Sequence, residues 1–188
     1  KPQSQISKLI AEVEYFEVQG FKPIGRPDLS SMRIECPFDW SANPYNDNNW
    51  KFQLHTLRYL MIYLSAYIAT KDDVYAEKLS AFIQDWYNFD CKHSADFAWN
   101  DMAAGIRAEK LHLVFSAFKE KKFDWGWDIK GLVKKHIDLM SAPGFINVNH
   151  NHGLYALHGL RCIAELSGPK KREIIREYCE KKIEEVIC

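Results

Sequence analysis

The chain has 188 residues, a hydrophobic content of 47%, and 25 Lys and Arg residues balanced by 25 Asp and Glu residues. This length and composition are typical of one folded domain with a buried core rather than of a disordered chain. Because the charges cancel, no net basic field is present to gather phosphate groups, which argues against a nucleic-acid partner. No apolar run reaches the roughly 18 residues of a membrane-spanning helix, which argues against membrane insertion.

Apolar residues recur along the chain with the period of about 3.6 residues that amphipathic helices show, and the alternation typical of strands hardly occurs. The first helix is predicted over about residues 6–18. A connection from Gly20 to Pro44 follows, and it carries too many Gly and Pro residues to be helical. The second helix is predicted over residues 50–69, with Asn48 or Asn49 as its N-cap.

The remaining helices are predicted from Asp72 or Asp73 through Trp86, and then over residues 100–118, 128–140, 151–166 and 170–188. Short turns join them, which predicts antiparallel neighbours packed as hairpins. Several helices are apolar on more than one side, as expected for helices buried between layers. The pattern predicts an all-α fold in a single helical domain over residues 1–188, and it fits an incomplete α/α toroid, a solenoid or a bundle equally well.

Five cysteines occur in the chain without the CxxC spacing of a zinc ribbon or the pattern of a closed disulfide framework. They are expected to be buried or free thiols: Cys36, Cys91, Cys162, Cys179 and Cys188. The last helix still keeps its apolar rhythm where the sequence ends. This predicts that the chain is a piece of a longer protein.

The most polar stretch lies at residues 147–153, where three asparagine amides and two imidazoles precede Gly153 and an apolar helix. These side chains can donate several hydrogen bonds to an anionic or hydroxyl-rich ligand, and histidine exchanges a proton near neutral pH. The aromatic content of 14% also provides side chains that could stack on sugar rings. Such a combination suits a sugar acid.

A series of short motifs runs through roughly residues 37–166. In chain order they are Phe38-Asp39-Trp40-Ser41-Ala42-Asn43-Pro44, Asn49-Trp50 through Leu54-His55, Trp86, Ala98-Trp99-Asn100-Asp101 through Ile106-Arg107, and Asn149 to Gly153. In this order and spacing they resemble the heparinase II/III-like family of polysaccharide lyases. The resemblance implies an N-terminal α/α toroid followed by a β-sandwich, which is not part of this sequence. It also implies a groove between the two for an acidic, uronate-containing polysaccharide, no cofactor, and a periplasmic or secreted location.

In that family an Asn-His pair before a glycine belongs to the active site, and it matches Asn151-His152-Gly153 here. β-Elimination removes the C5 proton of a uronate, and the adjacent carboxylate resists the second negative charge that develops. Asn151 and His152 are therefore the candidate catalytic donors, each worth roughly 100-fold to 1000-fold in rate. In the family, a tyrosine carries out much of the proton transfer, and this tyrosine is expected beyond Cys188. The candidate substrate-binding residues are Asn149, His150, Trp50, Trp99 and Arg107.

The same polar residues could instead have structural roles. Asn149 and Asn151 could cap the helix that follows them, because asparagine is a favoured N-cap residue. His152 could be a core histidine whose hydrogen bonds are satisfied. His150 and His152 could together hold a metal ion, but no carboxylate or cysteine lies at helical ligand spacing, so no metal site is predicted.

Trp99 and Arg107 stand eight residues apart, on one helical face, so Arg107 could pair with a sugar carboxylate through its planar guanidinium. Alternatively, Arg107 bridges to Asp101 or Glu109 while Trp99 fills the core. A similar choice exists for the aromatic residues around the polar loop 43–49, which form either a sugar-stacking rim or a plug: Trp40, Tyr45 and Trp50.

Two functions from different classes remain. The first is the toroid domain of a lyase that cleaves uronate polysaccharide by β-elimination, with an acidic polysaccharide and the C-terminal domain of the same protein as its partners. The second is a non-catalytic glycan-binding or surface-polysaccharide biosynthesis protein with the same toroid.

Overall fold

The computed structural model describes residues 3–93, 95–119, 121 and 123–187 of the chain, without the side chains of residues 186 and 187. Helices account for nearly all the regular structure of these residues. That part of the chain contains eight α-helices, one 3-10 turn and a single antiparallel bridge, between Phe21 and Met32. The predicted all-α class is confirmed. The helices form two compact units, Lys1–Phe97 and Ala98–Cys188.

The first unit begins with α1, and a long non-helical connection over residues 20–47 follows, as predicted. Asp47 caps α2 by accepting a hydrogen bond from the Trp50 backbone N–H (2.7 Å), and Asp72 caps α4 through the Val74 N–H (3.1 Å). Helix α3 packs against both α1 and α4. The elements are α1 (Gln3–Gln19), α2 (Asn48–His55), a 3-10 turn (Arg58–Leu60), α3 (Met61–Thr70) and α4 (Asp73–Lys92).

The prediction of a single helix over residues 50–69 is wrong, because the α-helical conformation is interrupted between α2 and α3. The Thr56 hydroxyl donates to the Gln53 carbonyl (2.7 Å), and Leu57 takes a left-handed conformation with φ of 52°. The Leu57 side chain is only 2% exposed, so its burial stabilises this unfavourable backbone. The predicted N-cap is also wrong, since Asp47 rather than Asn48 or Asn49 occupies that position.

The core of the first unit contains several residues of the motifs. The Asp85 carboxylate accepts hydrogen bonds from the Phe38 backbone N–H and the Trp40 indole N–H, both at 2.9 Å. The Trp86 indole N–H donates to Nδ1 of His55 (3.2 Å), and both side chains are 1% exposed. These motif residues therefore anchor the connection and α2 onto α4.

The second unit contains the remaining four helices. Asn100 and Asp128 cap α5 and α6 with their side-chain oxygens, so each helix begins one residue after its predicted start. The pairs Arg107–His136 and Phe115–Trp127 show that α6 runs antiparallel to α5, as predicted for sequence neighbours. The helices are α5 (Asp101–Phe118), α6 (Ile129–Met140), α7 (Asn151–Ala164) and α8 (Pro169–Ile187).

Helices α5 and α7 run parallel and touch through their backbones. A Cβ atom built on Gly159 would lie 2.0 Å from the Gly105 carbonyl oxygen, and one on Gly105 would lie 2.4 Å from the carbonyl oxygen of Tyr155. No side chain fits between the helices at this crossing. Because the contact lies only one to two turns into each helix, it brings the first turns of α5 and α7 side by side.

Within the described part of the chain, no helix is both long and apolar enough to cross a membrane. Four cysteines are free thiols: Cys36 and Cys91 are exposed, Cys162 is partly exposed and Cys179 is buried. The fifth, Cys188, lies outside the described residues.

Candidate functional site

The polar stretch before α7 forms an ordered turn. The Asn147 side chain accepts a hydrogen bond from the Asn149 backbone N–H (3.0 Å), and its amide N–H donates to Nε2 of His150 (2.9 Å). Because an amide nitrogen can only donate, Nε2 of His150 is the acceptor and its ring proton lies on Nδ1. A Cβ on Gly153 would meet the Asn147 carbonyl oxygen at 2.2 Å, so the turn rests directly on the start of the helix.

Helix capping does not explain the asparagines. His150 occupies the N-cap position of α7 and makes no side-chain cap bond, while Asn149 precedes the cap and Asn151 follows it. Both asparagines are exposed. The His152 side chain is 47% exposed, so it is not a core histidine. The four residues 149–152 therefore present two amides and two imidazoles to solvent.

A carboxylate from α5 lies beside His152. Oδ1 of Asp101 is 3.7 Å from Nδ1 of His152, and the same oxygen accepts a hydrogen bond from the Met102 backbone N–H (2.8 Å). The Asp101 side chain is 14% exposed, much less than the imidazole it faces. The rings of His150 and His152 are 6.0 Å apart. The site thus combines donors from α7 with one fixed anion from α5.

A buried cluster lies further along α5. Arg107 is fully buried, and its Nε donates to Nε2 of His136 (2.9 Å), whose Nδ1 contacts the Leu132 carbonyl oxygen (2.9 Å). The Trp99 ring centroid lies 4.8 Å from Cζ of Arg107 and 4.8 Å from the His136 ring. Burial and then the charge of Arg107 lower the pKa of His136 well below its ordinary 6.5. His136 is therefore neutral, and its proton lies on Nδ1.

From the sequence, Arg107 could bind a sugar carboxylate or bridge to Asp101 or Glu109. Glu109 faces Lys110 at 3.0 Å, and Asp101 faces His152. A side chain with no exposed surface cannot touch a bound sugar, so the structure favours a core role for Arg107, with His136 as a hydrogen-bond partner. Trp99 is partly exposed above this pair.

Trp50 lies in the first unit, where it is fully buried. Its indole N–H donates to the Ala42 carbonyl oxygen (3.2 Å), and its ring packs against Phe21 (4.9 Å) and Tyr45 (5.1 Å). Trp40 is buried to the same extent. This burial favours the plug rather than the sugar-stacking rim for these residues.

Sequence reasoning missed two residues of the second unit. His136 shares the buried face of α6 with Val133, Ile137 and Met140, so its position on an apolar stripe was the available signal. Asp101 belongs to the Ala98-Trp99-Asn100-Asp101 motif, but nothing in the sequence shows that it faces His152. Among the described residues, no three His, Cys, Asp or Glu side chains are grouped closely enough to hold a metal ion.

A family model described as the heparinase II/III N-terminus matches residues 4–136. The matched range ends before the polar turn at residues 147–153. No curated protein matches the chain by sequence. The similarity to solved structures extends over almost the whole chain.

Heparan sulfate lyase HepC from Pedobacter heparinus is 20% identical to the chain, with a TM-score of 0.76 over 96% of this chain and 29% of that one. A mutant of the same lyase gives 19% identity and a TM-score of 0.73, over 95% and 29% of the two chains. A heparinase III gene product with methylated lysines gives 16% identity and a TM-score of 0.69, over 94% and 31%. These similarities confirm the incomplete α/α toroid, and the chain spans less than a third of each of these structures.

Proposed function

Because this chain belongs to the heparinase II/III N-terminus family, we propose that it is the toroid domain of a polysaccharide lyase that cleaves uronate-containing anionic polysaccharide by β-elimination. One observation carries the proposal: Asn151 and His152 are exposed at the start of α7 and have no capping or core role, and His152 lies beside the Asp101 carboxylate. The fold shared with solved lyases supports it.

The reaction explains why such donors are useful. A base removes the C5 proton of the uronate, the C4–O bond breaks, a C4–C5 double bond forms, and the departing oxygen receives a proton. In the transition state, negative charge moves from C5 onto a carboxylate that is already anionic. Side-chain N–H groups of Asn151 and His152 directed at this carboxylate stabilise that charge, each by roughly 100-fold to 1000-fold in rate.

The proton transfers are assigned to residues outside this chain. In the family that the motifs resemble, a tyrosine does much of this work, and its expected place is beyond Cys188. The proposal therefore gives this chain the binding and charge-stabilising part of the site, and assigns activity to the full-length protein.

The test uses the full-length protein and a panel of acidic glycans, with the ultraviolet absorbance of the C4–C5 double bond as the readout. We expect Asn151→Ala and His152→Ala each to lower turnover by about 100-fold or more with unchanged far-ultraviolet circular dichroism. His158→Ala is the matched control, because His158 is also exposed on α7 and lies almost two turns further along. Its turnover should equal that of the wild type.

Two results would contradict the proposal. Wild-type protein that binds a uronate glycan without producing the double bond would establish the non-catalytic glycan-binding function instead. Loss of circular dichroism in both alanine variants would show that Asn151 and His152 maintain the fold.

A further inference from the structure

We propose that Asp101 is a positioning residue for His152: it holds the Nδ1 side of the imidazole, so that Nε2 faces outward and is an N–H donor when the ring is protonated. This inference rests on the proposed function, because the direction of the ring matters only if His152 contacts the substrate. Nothing in the resemblance to the lyase family assigns a role to Asp101.

The geometry distinguishes the anchored partner from the mobile one. Asp101 is mostly buried and its Oδ1 is already fixed by the Met102 backbone N–H at 2.8 Å, whereas the His152 ring is about half exposed. The backbone contact between Gly105 and Gly159 fixes α5 and α7 side by side just beyond this pair. The carboxylate is thus held in place by its own helix, and the imidazole can turn towards it.

The ring nitrogen of His152 that faces Asp101 is Nδ1. Nδ1 of His152 lies 3.7 Å from Oδ1 of Asp101, which is ion-pair distance and longer than a hydrogen bond. Contacts of this kind in a ligand-free site often shorten when substrate binds. The other nearby titratable ring, His150, lies 6.0 Å away, and its Nε2 already accepts from Asn147.

Two consequences follow for the ring. In the neutral form, a proton on Nδ1 can face the carboxylate, so Asp101 selects the Nδ1–H tautomer, in which Nε2 accepts a hydrogen bond and does not donate one. In the imidazolium form, Asp101 offsets the positive charge and Nε2–H points outward as a charge-assisted donor to a substrate carboxylate.

A purely structural role for Asp101 is the competing hypothesis, since acidic residues stabilise the first turn of a helix. Asparagine at position 101 keeps a side-chain oxygen for the Met102 N–H but removes the negative charge. Alanine removes both. Comparing these two variants therefore separates helix stabilisation from an effect on His152.

The first experiment is histidine-selective nitrogen NMR of the chain at alkaline pH, where the ring is neutral. We expect the Nδ1–H tautomer for His152 in the wild type, and a shift towards the Nε2–H tautomer preferred by free histidine in Asp101→Asn and Asp101→Ala. Asp138→Asn is the control, because Asp138 is also an ion-paired acid of this unit but contacts Lys134 and Lys171. Nε2–H in the wild type, or no change in either Asp101 variant, would overturn the proposal.

The second experiment measures elimination by the full-length protein. We expect Asp101→Asn to lower kcat/KM by about 10-fold to 100-fold, as loss of a residue that orients a functional histidine often does, with partial recovery in Asp101→Glu. If His152→Ala abolishes turnover while Asp101→Asn leaves it unchanged, the role of Asp101 is overturned and the proposed function stands. If His152→Ala itself leaves turnover unchanged, the proposed active site is overturned.

Discussion

The backbone contact between α5 and α7 predicts that a single methyl group will destabilise the second unit. In Gly159→Ala the new Cβ would lie 2.0 Å from the Gly105 carbonyl oxygen, whereas ordinary contacts begin at about 3.4 Å. The obstacle is backbone, so no side-chain rotation relieves it. The helices must therefore separate by about 1.4 Å, the difference between these two distances.

The expected cost follows from two opposing effects. Overpacking a core costs about 1–3 kcal/mol and sometimes more, and a gap of roughly 1 Å forfeits up to half of the dispersion energy of the contacts around it. Fully buried alanines flank the crossing and lose such contacts: Ala104, Ala108 and Ala156. Alanine is favoured over glycine in a helix by about 1 kcal/mol, which offsets part of this cost. Because the obstacle is backbone, we expect the upper end of the overpacking cost, about 3 kcal/mol, and therefore a net loss of about 2 kcal/mol.

Thermal unfolding followed by circular dichroism measures this effect. For a chain of this length, a loss of about 2 kcal/mol lowers Tm by roughly 4–8 °C. Gly168→Ala is the matched control, since a Cβ there would meet nothing within 4 Å. Gly105→Ala should behave like Gly159→Ala. Equal Tm values for Gly159→Ala and Gly168→Ala would refute the argument that the two backbones touch.

Three further outcomes are expected. The folded-state pKa of His136 lies well below 6.5, so below about pH 6.5 the unfolded chain binds a proton on this ring that the folded chain does not, and Tm should fall as the pH decreases. His136→Gln should make Tm depend less on pH. An unchanged pH dependence of Tm in this variant would contradict the neutral, buried ring. Asp85→Ala removes the hydrogen-bond acceptor for the Phe38 backbone N–H and the Trp40 indole N–H, so proteolysis within residues 36–42 should become faster. Asp39→Ala, at an exposed position, is the control. Equal cleavage rates of the two variants would argue against the anchoring role of Asp85. The 188-residue chain alone should form no unsaturated product from a glycan that the full-length protein cleaves, and product formation would place the proton-transfer residues within it.

Local signals were enough to locate most helices. Asp72, one of the two predicted caps, caps α4, and α5 and α6 begin within one residue of the predicted starts at 100 and 128, because a capping side chain acts within its own first turn. The break at Leu57 could not be found in this way. No Gly or Pro marks it and the apolar spacing continues through it, because the left-handed backbone is stabilised by burial of the Leu57 side chain in the folded protein.

The candidate site shows the same division. The exposure of Asn151 and His152 follows from an unusual density of polar residues, which is visible in the sequence. Arg107 and His136 are 29 residues apart, and their pairing depends on the packing of α5 against α6. Composition also cannot show whether a tryptophan faces a ligand or a core, and Trp50 is fully buried.

The parallel arrangement of α5 and α7 has an electrostatic consequence for a chain with no net charge. Each helix carries about half a positive charge at its N-terminus, and the two N-termini lie together where Asp101 meets His152. The Asp101 carboxylate offsets part of this charge, and an anion bound at the proposed site would be attracted by the remaining field of the peptide dipoles rather than by a row of mobile lysines. Few counterions would be released on binding, so the affinity of this site for an acidic polymer should depend only weakly on salt concentration, unlike that of a basic polyanion-binding surface.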